Sequence, residues 1–308
     1  MTLRFDSADP SMLTYLLRPG MAFVGSAPIG QALSFATMDS SGNQVTEEVG
    51  YDDLDPTRFF PVVGPIEIEG VRAGDAVGVE IRSIAPSAHA HTWTRPGLGL
   101  RPQPAFHSRR LATDTLRLDW AAGEGAMVDE VVATGRPHVG ALGLLPDHQI
   151  EPRSLGRHGG NIDSIRVEPG ATLWLTARQD GGGLFIGDIH AAMGDAEVCG
   201  TGAEAPAEVE LVIHRRHGWS PSLPTIVGSD GSVSVIGTGD TVEEALDEAV
   251  EHVVDAFSRH QGIPPGDASL AVGLLLSVSL CQVVNPRRSV EVSLREGLDV
   301  VLGPEGTA

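Results

Sequence analysis

The sequence predicts an α+β fold that is mainly β, with a β-sandwich-like body and a smaller C-terminal α+β portion. Before residue 218, short apolar stretches alternate with Gly, Pro, Ser and Asp, which is typical of strands and turns. A 3.6-residue apolar period first appears after residue 240, and strand-like runs follow it. We therefore expect a β-rich body over residues 1–218 and an α+β portion over residues 219–308.

The clearest strand signal in the body is the alternation of apolar and acidic residues over 64–70. Apolar positions at the same period continue over 77–84, beyond a Gly-Asp turn, so we interpret the two runs as a β-hairpin. Further strands are expected at 115–118 and 139–145. The first sixty residues favour loops and edge strands, with one short helix over 11–17.

An internal similarity appears when the chain is shifted by 96 positions. Residues 64–79 then align with residues 160–175 in their turn glycines and flanking apolar positions. A duplicated β-unit packed as two related sheets explains such a similarity.

The C-terminal portion begins with the best-defined helix of the chain. Thr241 and Glu244 form a Thr-x-x-Glu capping box, apolar residues follow at helical spacing as far as Phe257, and Gly262 marks the end. A second helix is expected after Asp267. It runs through Leu275, and the strands expected after it are 281–284, 290–294 and 298–302.

Composition limits the partners and the compartment. The formal charge of −20, from 41 acidic and 21 basic residues, argues against nucleic acids and anionic membranes. Cys199 and Cys281 are too few for a disulfide framework, no signal-peptide pattern opens the chain, and the longest apolar run, 270–280, is shorter than the ~20 residues of a membrane span. We expect a cytoplasmic protein that handles small neutral or cationic molecules.

Residues 187–204 hold the densest set of reactive side chains, with one His, one Cys and four carboxylates among small residues. Asp188 and His190 stand two positions apart, as do Asp195 and Glu197, so on an extended backbone each pair projects to one side. A surface hairpin with solvated acids is the competing interpretation for an isolated Asp-x-His pair.

A second group of polar residues, His158, Asn161 and Asp163, surrounds a Gly-Gly step. Taken alone, a glycine turn with Asn and Asp bonded to their own backbone explains it. Together with Asp188, His190 and Glu204, however, this group supplies nitrogen and oxygen donors that zinc accepts, and the surplus of carboxylates suits calcium as well. No CxxC or HExxH spacing supports a metal independently.

Two further features leave alternatives open. His89 and His91 form another pair on one face, for which a metal site and an exposed loop are equally acceptable. Cys199 lies near His190 and Glu197 in sequence, which permits a thiolate nucleophile for acyl transfer. No helix N-terminus is expected there to activate the thiol, so packing is the first interpretation of Cys199.

The combination of five stretches resembles the acetamidase/formamidase family in the same order, over roughly residues 50–300. They are GPIEIEGVRAGD (64–75), GLLPD (143–147), HGGNID (158–163), GDIHAAMGDAEVCGTGAE (187–204) and CQVVNP (281–286). The resemblance implies a mainly β, metal-associated hydrolase that cleaves small aliphatic amides to a carboxylic acid and ammonia. It also implies a cytoplasmic homo-oligomer, a dimer or larger, and zinc or calcium as the metal.

The resemblance also assigns roles to residues of this chain. Metal ligands are His158, Asp163, Asp188 and His190; substrate-binding residues are Asn161 and Glu197; catalytic residues are Asp195 and Glu204. Ala196 stands where the family pattern has Gly, and neither the first 45 residues nor the loop at His89 and His91 matches that pattern.

Three functional hypotheses follow. In the first, a divalent metal, zinc before calcium, is held by Asp188, His190 and His158 and activates water against a linear amide, while Glu204 or Asp195 carries the proton to the leaving nitrogen. In the second, Cys199 attacks the amide covalently. In the third, the protein is a non-catalytic member of the fold that binds a small molecule.

Overall fold

The structure is a computed structural model that describes residues 2–46, 48–101, 103–118, 131–133, 135–295 and 301–303. The strands are β1 (Leu3–Asp6), β2 (Leu13–Thr14), β3 (Gly25–Ala27), β4 (Ala32–Thr37), β5 (Val62–Ile68), β6 (Ala76–Pro86), β7 (His89–Thr94), β8 (His107–Ala112), β9 (Arg117–Leu118), β10 (Val131–Val132), β11 (His138–Gly143), β12 (Leu155–Gly156), β13 (Gly159–Asn161), β14 (Thr172–Thr176), β15 (Leu184–His190), β16 (Ala207–Arg216), β17 (Thr225–Val227), β18 (Val233–Gly239), β19 (Leu276–Gln282) and β20 (Arg288–Leu294). The helices are α1 (Val242–Gln261) and α2 (Pro265–Leu275), with 3-10 turns at Pro10–Met12, Tyr51–Asp53 and Pro56–Arg58.

Two large sheets form the body. One has nine strands in the order β1-β4-β16-β6-β14-β17-β18-β20-β19, and the other has the order β12-β13-β11-β15-β5-β2, with β3 beside β5. Apolar side chains of both sheets share one core, in which Val79 and Leu211 of the first sheet join Ile66 and Ile186 of the second. Because each sheet buries its apolar face against the other, the prediction of a mainly β, sandwich-like α+β fold is confirmed.

The predicted hairpin between residues 64–70 and 77–84 is wrong, although both strands exist. β5 pairs with β15, whereas β6 pairs with β16 and β14 in the other sheet. The turn between them therefore crosses from one sheet to the other. Period-two alternation reports which side chains a strand buries, but it carries no information about the partner of that strand.

The internal similarity corresponds to a local symmetry of the sandwich. In both copies the first strand lies in the seven-stranded sheet and the second in the nine-stranded sheet, and the two second strands, β6 and β14, are antiparallel neighbours. Val79 faces Leu173 and Val77 faces Leu175, while a 96-residue shift relates Val77 to Leu173 and Val79 to Leu175. The pairing thus has approximate two-fold symmetry, as expected for a duplicated unit.

Other local predictions have mixed outcomes. The helix expected over 11–17 is absent, because a 3-10 turn capped by Asp9 ends at Met12 and β2 then pairs with β5. The strand expected at 139–145 is confirmed as β11. Within the described residues, the strand expected at 115–118 is reduced to β9, and the one expected at 298–302 lies mostly outside them.

The first C-terminal helix agrees closely with its prediction. Thr241 Oγ1 accepts from the Glu244 N–H at 3.1 Å, and Glu244 Oε2 accepts from the Thr241 N–H at 3.2 Å. Gly262 ends α1 with a φ of 66°, a left-handed conformation that suits glycine. The second helix was expected after Asp267 and starts three residues earlier, at Pro265. In the described part of the chain, no helix combines the length and apolar character needed to cross a membrane.

The division at residues 218 and 219 remains a prediction. The C-terminal portion has a core of its own, in which Ala249, Val253 and Phe257 of α1 pack over the sheet. Its strands nevertheless continue the nine-stranded sheet of the body, since β17 pairs with β14 on one side and β18 on the other. The two portions are therefore joined along a continuous sheet.

Candidate active site

The candidate site lies at the end of β15 and is covered by the loop that follows this strand. Asp188 and His190 lie at the C-terminal end of β15. This strand pairs with β11, so that His190 faces His138. The loop after His190 folds back, because Ala191 N–H donates to Ala203 O and Ala203 N–H donates to Ala192 O, both at 2.8 Å. This closure brings Glu204 opposite His190.

Four carboxylates surround the His190 imidazole. One ligand atom each from Asp163, Asp188 and His190 lies within 4.8 Å of the others, and the same holds for His190, Glu197 and Glu204. His190 Nε2 is 3.2 Å from Glu204 Oε1 and 3.5 Å from Asp188 Oδ1. All five side chains are buried. The expectation that Asp188 and His190 project to the same side is thus confirmed.

Burial and mutual repulsion dominate the electrostatics of this cluster. Burial raises the pKa of Asp163 well above its usual value, and Asp188 raises it further. Burial and the neighbouring Asp163 likewise raise the pKa of Glu197 well above its usual value. Burial lowers the pKa of His190, but Glu204 and Asp188 outweigh burial and hold it well above its usual value. One imidazole cannot balance four buried acids, so protons or a bound cation must complete the charge.

Several oxygens of the cluster have no hydrogen-bond partner among the described residues. They are Asp163 Oδ1, Asp188 Oδ1 and Glu197 Oε2, together with the neighbouring Asn161 Oδ1. Buried polar atoms are normally satisfied, and a group of unpaired oxygens around one imidazole fits a divalent cation. Four carboxylates and one imidazole nitrogen provide oxygen and nitrogen donors of the kind that divalent cations accept.

Gly140 leaves the space in which two of these carboxylates meet. A Cβ atom at this position of β11 would lie 2.6 Å from Asp188 Oδ2 and 2.8 Å from Asp163 Oδ1. Only glycine therefore allows both carboxylates to converge above the strand. Sequence reasoning missed this residue, and the available signal was a glycine inside an apolar buried strand.

Three of the acids occupy an unusual backbone conformation. The φ angles of Asp163, Asp188 and Glu197 are 52°, 55° and 47°, in the left-handed region that disfavours most side chains. Ala196, the position where the family pattern has Gly, has a φ of 71°. Such strained residues persist where the surrounding structure holds them in place, and they concentrate at functional sites.

The left-handed turn at Ala196 and Glu197 corrects one expectation. Asp195 and Glu197 were expected to project to one side of an extended segment, but the segment turns at Ala196. Glu197 is buried in the acid cluster, whereas Asp195 is exposed.

A chain of hydrogen bonds fixes the orientation of His190. His138 Nδ1 lies 2.8 Å from the Arg136 carbonyl oxygen, which can only accept, so this nitrogen carries the proton. Burial, followed by the charge of His190, lowers the pKa of His138 to about 3, and its neutral Nε2 accepts from His190 Nδ1 at 3.1 Å. His190 Nε2 is therefore directed at the carboxylates, as in metal-binding histidines whose other nitrogen is hydrogen-bonded.

The acids are held by residues distant in sequence, Ser40 and Asn285, and by near neighbours, Gly202 and Asn161. Ser40 Oγ donates to Glu204 Oε2 at 2.8 Å, and Gly202 N–H donates to Glu204 Oε1 at 2.8 Å. Asp163 Oδ2 accepts from Asn161 Nδ2 at 2.7 Å and from Asn285 Nδ2 at 3.0 Å. Ser40 and His138 were not singled out by sequence, and neither lies in a stretch that signals a site. Asn285 lies in the CQVVNP stretch, which contributed to the family resemblance but predicted no function for this residue.

The structure does not bring His158 into either group of ligand atoms. Its ring packs beside Phe185 with centroids 6.3 Å apart. Burial, with a smaller contribution from His148, lowers the pKa of His158 to about 4, so the ring is neutral. Its role as a metal ligand stays a prediction.

The side chains of His89, His91 and Cys199 also contribute to neither group of ligand atoms. The two histidines are on β7 and belong to neither ligand group found among the described residues. Cys199 is exposed, and its Sγ donates to the Thr201 carbonyl oxygen at 3.2 Å.

Two cavities adjoin this region. The front cavity, of about 640 Å³, is lined at its inner end by Asn161, Asp188, Glu197 and Glu204. The rear cavity, of about 350 Å³, has a mixed charged lining. Its lining includes Arg136, Asp163, Arg166, Glu168, Asp195 and Glu291. Asp195 and Glu204, the two predicted catalytic acids, therefore line different cavities.

Known proteins resemble this chain over most of its length. An acetamidase from Bacillus halodurans superposes with a TM-score of 0.88 at 24% identity, covering 98% of this chain and all (100%) of that one. An acetamidase from Yersinia enterocolitica gives 0.84 at 24% identity, covering 96% and 92%. A gamma lactamase from Delftia acidovorans gives 0.62 at 16% identity, covering 93% and 89%. At these identities the likeness concerns the fold.

The sequence comparisons are more specific. A protein of Schizosaccharomyces pombe, provisionally named a formamidase, is 24% identical over 243 residues. The match covers 60% of this chain and 59% of that relative, so the chain spans less than two thirds of the length of the relative. The model of the Acetamidase/Formamidase family matches residues 16–155 and 149–221, a region that contains the whole acid cluster. The chain belongs to the acetamidase/formamidase family.

Proposed function

We propose that this protein is an amidohydrolase that cleaves the C–N bond of linear amides to a carboxylic acid and ammonia. The observation that carries the proposal is the buried cluster of Asp163, Asp188, His190, Glu197 and Glu204, in which Asp188 and Glu197 have unpaired oxygens and line the front cavity. Membership of the acetamidase/formamidase family supports the reaction class.

The residues that would hold a divalent metal are His190 through Nε2 with Asp163, Asp188 and Glu204. When bound there, zinc, or calcium as the alternative, supplies Lewis-acid polarisation of the amide carbonyl and activation of water, which amides need because neutral water attacks them slowly. Ser40 and Gly202 orient Glu204, and His138 orients His190. The side chains of Glu204 and His190 are therefore positioned before any substrate binds.

The chain's own polar groups account for binding and proton transfer. Asn161 Oδ1 has no partner among the described residues and is available to accept from an amide NH₂ group. Glu197 Oε2 is also without a partner and its residue lines the front cavity, whereas both Glu204 oxygens already accept hydrogen bonds. We therefore favour Glu197 over Glu204 or Asp195 as the residue that carries the proton to the leaving nitrogen, which otherwise departs as a poor amide anion.

Chelation tests the metal-dependent mechanism. Exhaustive treatment with EDTA should abolish ammonia release from amides, and added zinc should restore it. Calcium added to a second chelated sample tests the alternative metal. Thermal unfolding of the chelated protein, measured in the same buffer, shows whether the fold survives. Full activity of a chelated and metal-free preparation would contradict the mechanism.

The two alternative functions have simple tests. If Cys199 were the nucleophile, Cys199→Ala would lose all activity, whereas the proposed mechanism expects this exposed side chain to be dispensable. If the protein only bound its ligand, no member of an amide series would release ammonia.

We also propose a cytoplasmic homo-oligomer. Leu270 and Leu274 of α2 and Val278 of β19 are exposed apolar residues, with relative exposures of 74%, 76% and 45%. They are uncharged in a chain of net charge −20, so a second copy can approach them without like-charge repulsion. Light scattering should give a mass of two or more chains, and Leu270→Glu with Leu274→Glu should reduce it; a wild-type monomer would contradict the proposal.

A further inference from the structure

We propose that the substrate is an uncharged amide whose acyl group carries an aromatic ring, rather than formamide or acetamide. This inference rests on the proposed amidase function and specifies its substrate class. It comes from the outer part of the front cavity, beyond the acid cluster.

The size of the front cavity exceeds the needs of the smallest amides. A water molecule takes up about 30 Å³ in the liquid, so an amide the size of a few waters leaves most of the 640 Å³ cavity to solvent. Cavities of this size bind ligands with a substantial apolar body fixed by a few polar groups. The acid cluster and Asn161 provide those polar groups at the inner end.

Aromatic rings form one wall of the cavity. Tyr51, Phe59 and Trp93 line it, and Phe106 packs behind them. Ring centroids are 5.6 Å apart for Phe59 and Trp93, 6.3 Å for Trp93 and Phe106, and 5.8 Å for Tyr51 and Phe106, all in tilted arrangements. A further aromatic ring, supplied by a substrate, can pack on this wall in the same way, since tilted and offset aromatic contacts are favourable at these distances.

Trp93 gives a second, independent indication of a ligand. It is only 7% exposed, and its indole Nε1–H has no partner among the described residues. Buried indole N–H groups usually find an acceptor. Because Trp93 lines the cavity, the π face of a substrate ring at this wall can accept a weak hydrogen bond from this N–H, whereas acetamide held at the acid cluster offers no such group.

The aromatic wall is joined to the segment that carries Glu204. The Trp93 N–H donates to Thr201 Oγ1 at 3.1 Å, and Thr201 Oγ1 donates to the Trp93 carbonyl oxygen at 2.7 Å. His91 and Glu204 exchange backbone hydrogen bonds, each of 2.9 Å. The distance between wall and acid cluster is therefore set by the fold, which lets one substrate contact both.

Charges near the wall favour an uncharged substrate. Outside the acid cluster, the lining has two acids, Asp52 and Glu151, and two bases, Arg95 and Arg153. Arg153 Nε lies 3.2 Å from Glu151 Oε2, so part of this charge is already paired. The outer lining thus has equal numbers of acids and bases, so it would not attract an acyl group of either charge.

The test compares ammonia release from phenylacetamide and benzamide with release from acetamide and formamide, using the full-length, zinc-loaded protein. We expect kcat/KM for the better aromatic amide to exceed that for acetamide by about 30-fold or more, since burial of a ring is a large apolar contribution. Equal or better use of acetamide would overturn this inference and leave the amidase function intact. No ammonia from any of the four amides would refute the amidase function itself.

Variants of Tyr51 test the wall directly. Tyr51 is 42% exposed on a short 3-10 turn, so Tyr51→Ala should fold normally. It should raise KM for the aromatic amide by about fivefold with little change in kcat, whereas Tyr51→Phe, which keeps the ring, should stay close to wild type. Leu100→Ser changes an exposed apolar residue that does not line the cavity and serves as the matched control. An unchanged KM in Tyr51→Ala would contradict the aromatic wall.

Discussion

The front and rear cavities differ in how their charges are satisfied. In the front cavity, Asp188 and Glu197 each keep an oxygen without a hydrogen-bond partner among the described residues. In the rear cavity, Arg136 forms two hydrogen bonds with Glu168, of 2.6 and 2.7 Å, and Arg166 Nε lies 3.1 Å from Glu291. Each cavity is lined by five acids and two bases, and the unpaired oxygen in the rear cavity belongs to Asp163, which is itself a member of the acid cluster. Unpaired buried oxygens, rather than the number of acids, therefore distinguish a site of chemistry from a structural ion-pair network.

The largest effect should come from a matched pair of variants, one in each cavity. Asp188→Asn removes a proposed metal ligand and should lower kcat/KM for amides by about 1,000-fold, because a lost ligand weakens Lewis-acid activation. Asparagine tolerates left-handed backbone, so the φ of 55° at residue 188 is not a reason for misfolding. Asp195→Asn changes an exposed residue of the rear cavity and should alter kcat/KM by less than about twofold.

Steady-state ammonia release measures both variants, and bound zinc measured by elemental analysis separates a ligand role from a general loss of activity. Comparable losses in the two variants would erase the distinction between the cavities. It would also return Asp195 to the catalytic role that the sequence predicted.

A variant of the rear cavity should change stability instead of chemistry. Glu291 is 5% exposed and contacts Arg166 and Ser164, so Glu291→Gln leaves the Arg166 charge without its partner. We expect a loss of about 3 kcal/mol in the free energy of unfolding, measured with urea. The more exposed pair Arg136–Glu168 provides the control, and Glu168→Gln should cost no more than about 1 kcal/mol. A larger cost for Glu168→Gln than for Glu291→Gln would contradict this ranking.

The smallest effect concerns the residue at which the chain passes from one cavity to the other. Ala196 lies between Asp195 and Glu197 with a φ of 71°. Ala196→Gly removes the left-handed penalty of about 1 kcal/mol, part of which is offset by the greater freedom of glycine in the unfolded chain. We expect a net stabilisation of about 0.5 kcal/mol. Ala192→Gly, at a buried alanine without positive φ, should destabilise by about 1 kcal/mol; stabilisation of both would refute the strain argument.

The sequence predicts elements best where the signal is local. The capping box at Thr241 marks the start of α1, and Gly262 marks its end. Each signal lies next to the helix end that it predicts, and both were confirmed. The acids of 187–204 were recognisable because they lie close together in sequence. The partner of β5 was not predictable, since it is chosen by packing against a strand more than a hundred residues away.

The same limit explains which site residues escaped prediction. Gly140 matters only because two carboxylates from other segments meet above it, and His138 matters only because β11 pairs with β15. Neither contact leaves a pattern in the residues that flank it. Conversely, His158 carries a conspicuous local pattern, yet its side chain packs against Phe185 instead of joining the acids.

The hydrogen bonds from Ser40 to Glu204 and from Asn285 to Asp163 make the acid cluster depend on segments that are synthesised at different times. Ser40 and Asn285 are more than two hundred residues apart, so the hydrogen bonds around the acids can all form only after Asn285 has been synthesised. A prematurely terminated product that lacks Asn285 would also lack β20, the strand between β18 and β19 whose Val290 and Val292 share a core with α1. Such a product would therefore lose a hydrogen-bond donor of the acid cluster and an internal strand of the sheet together.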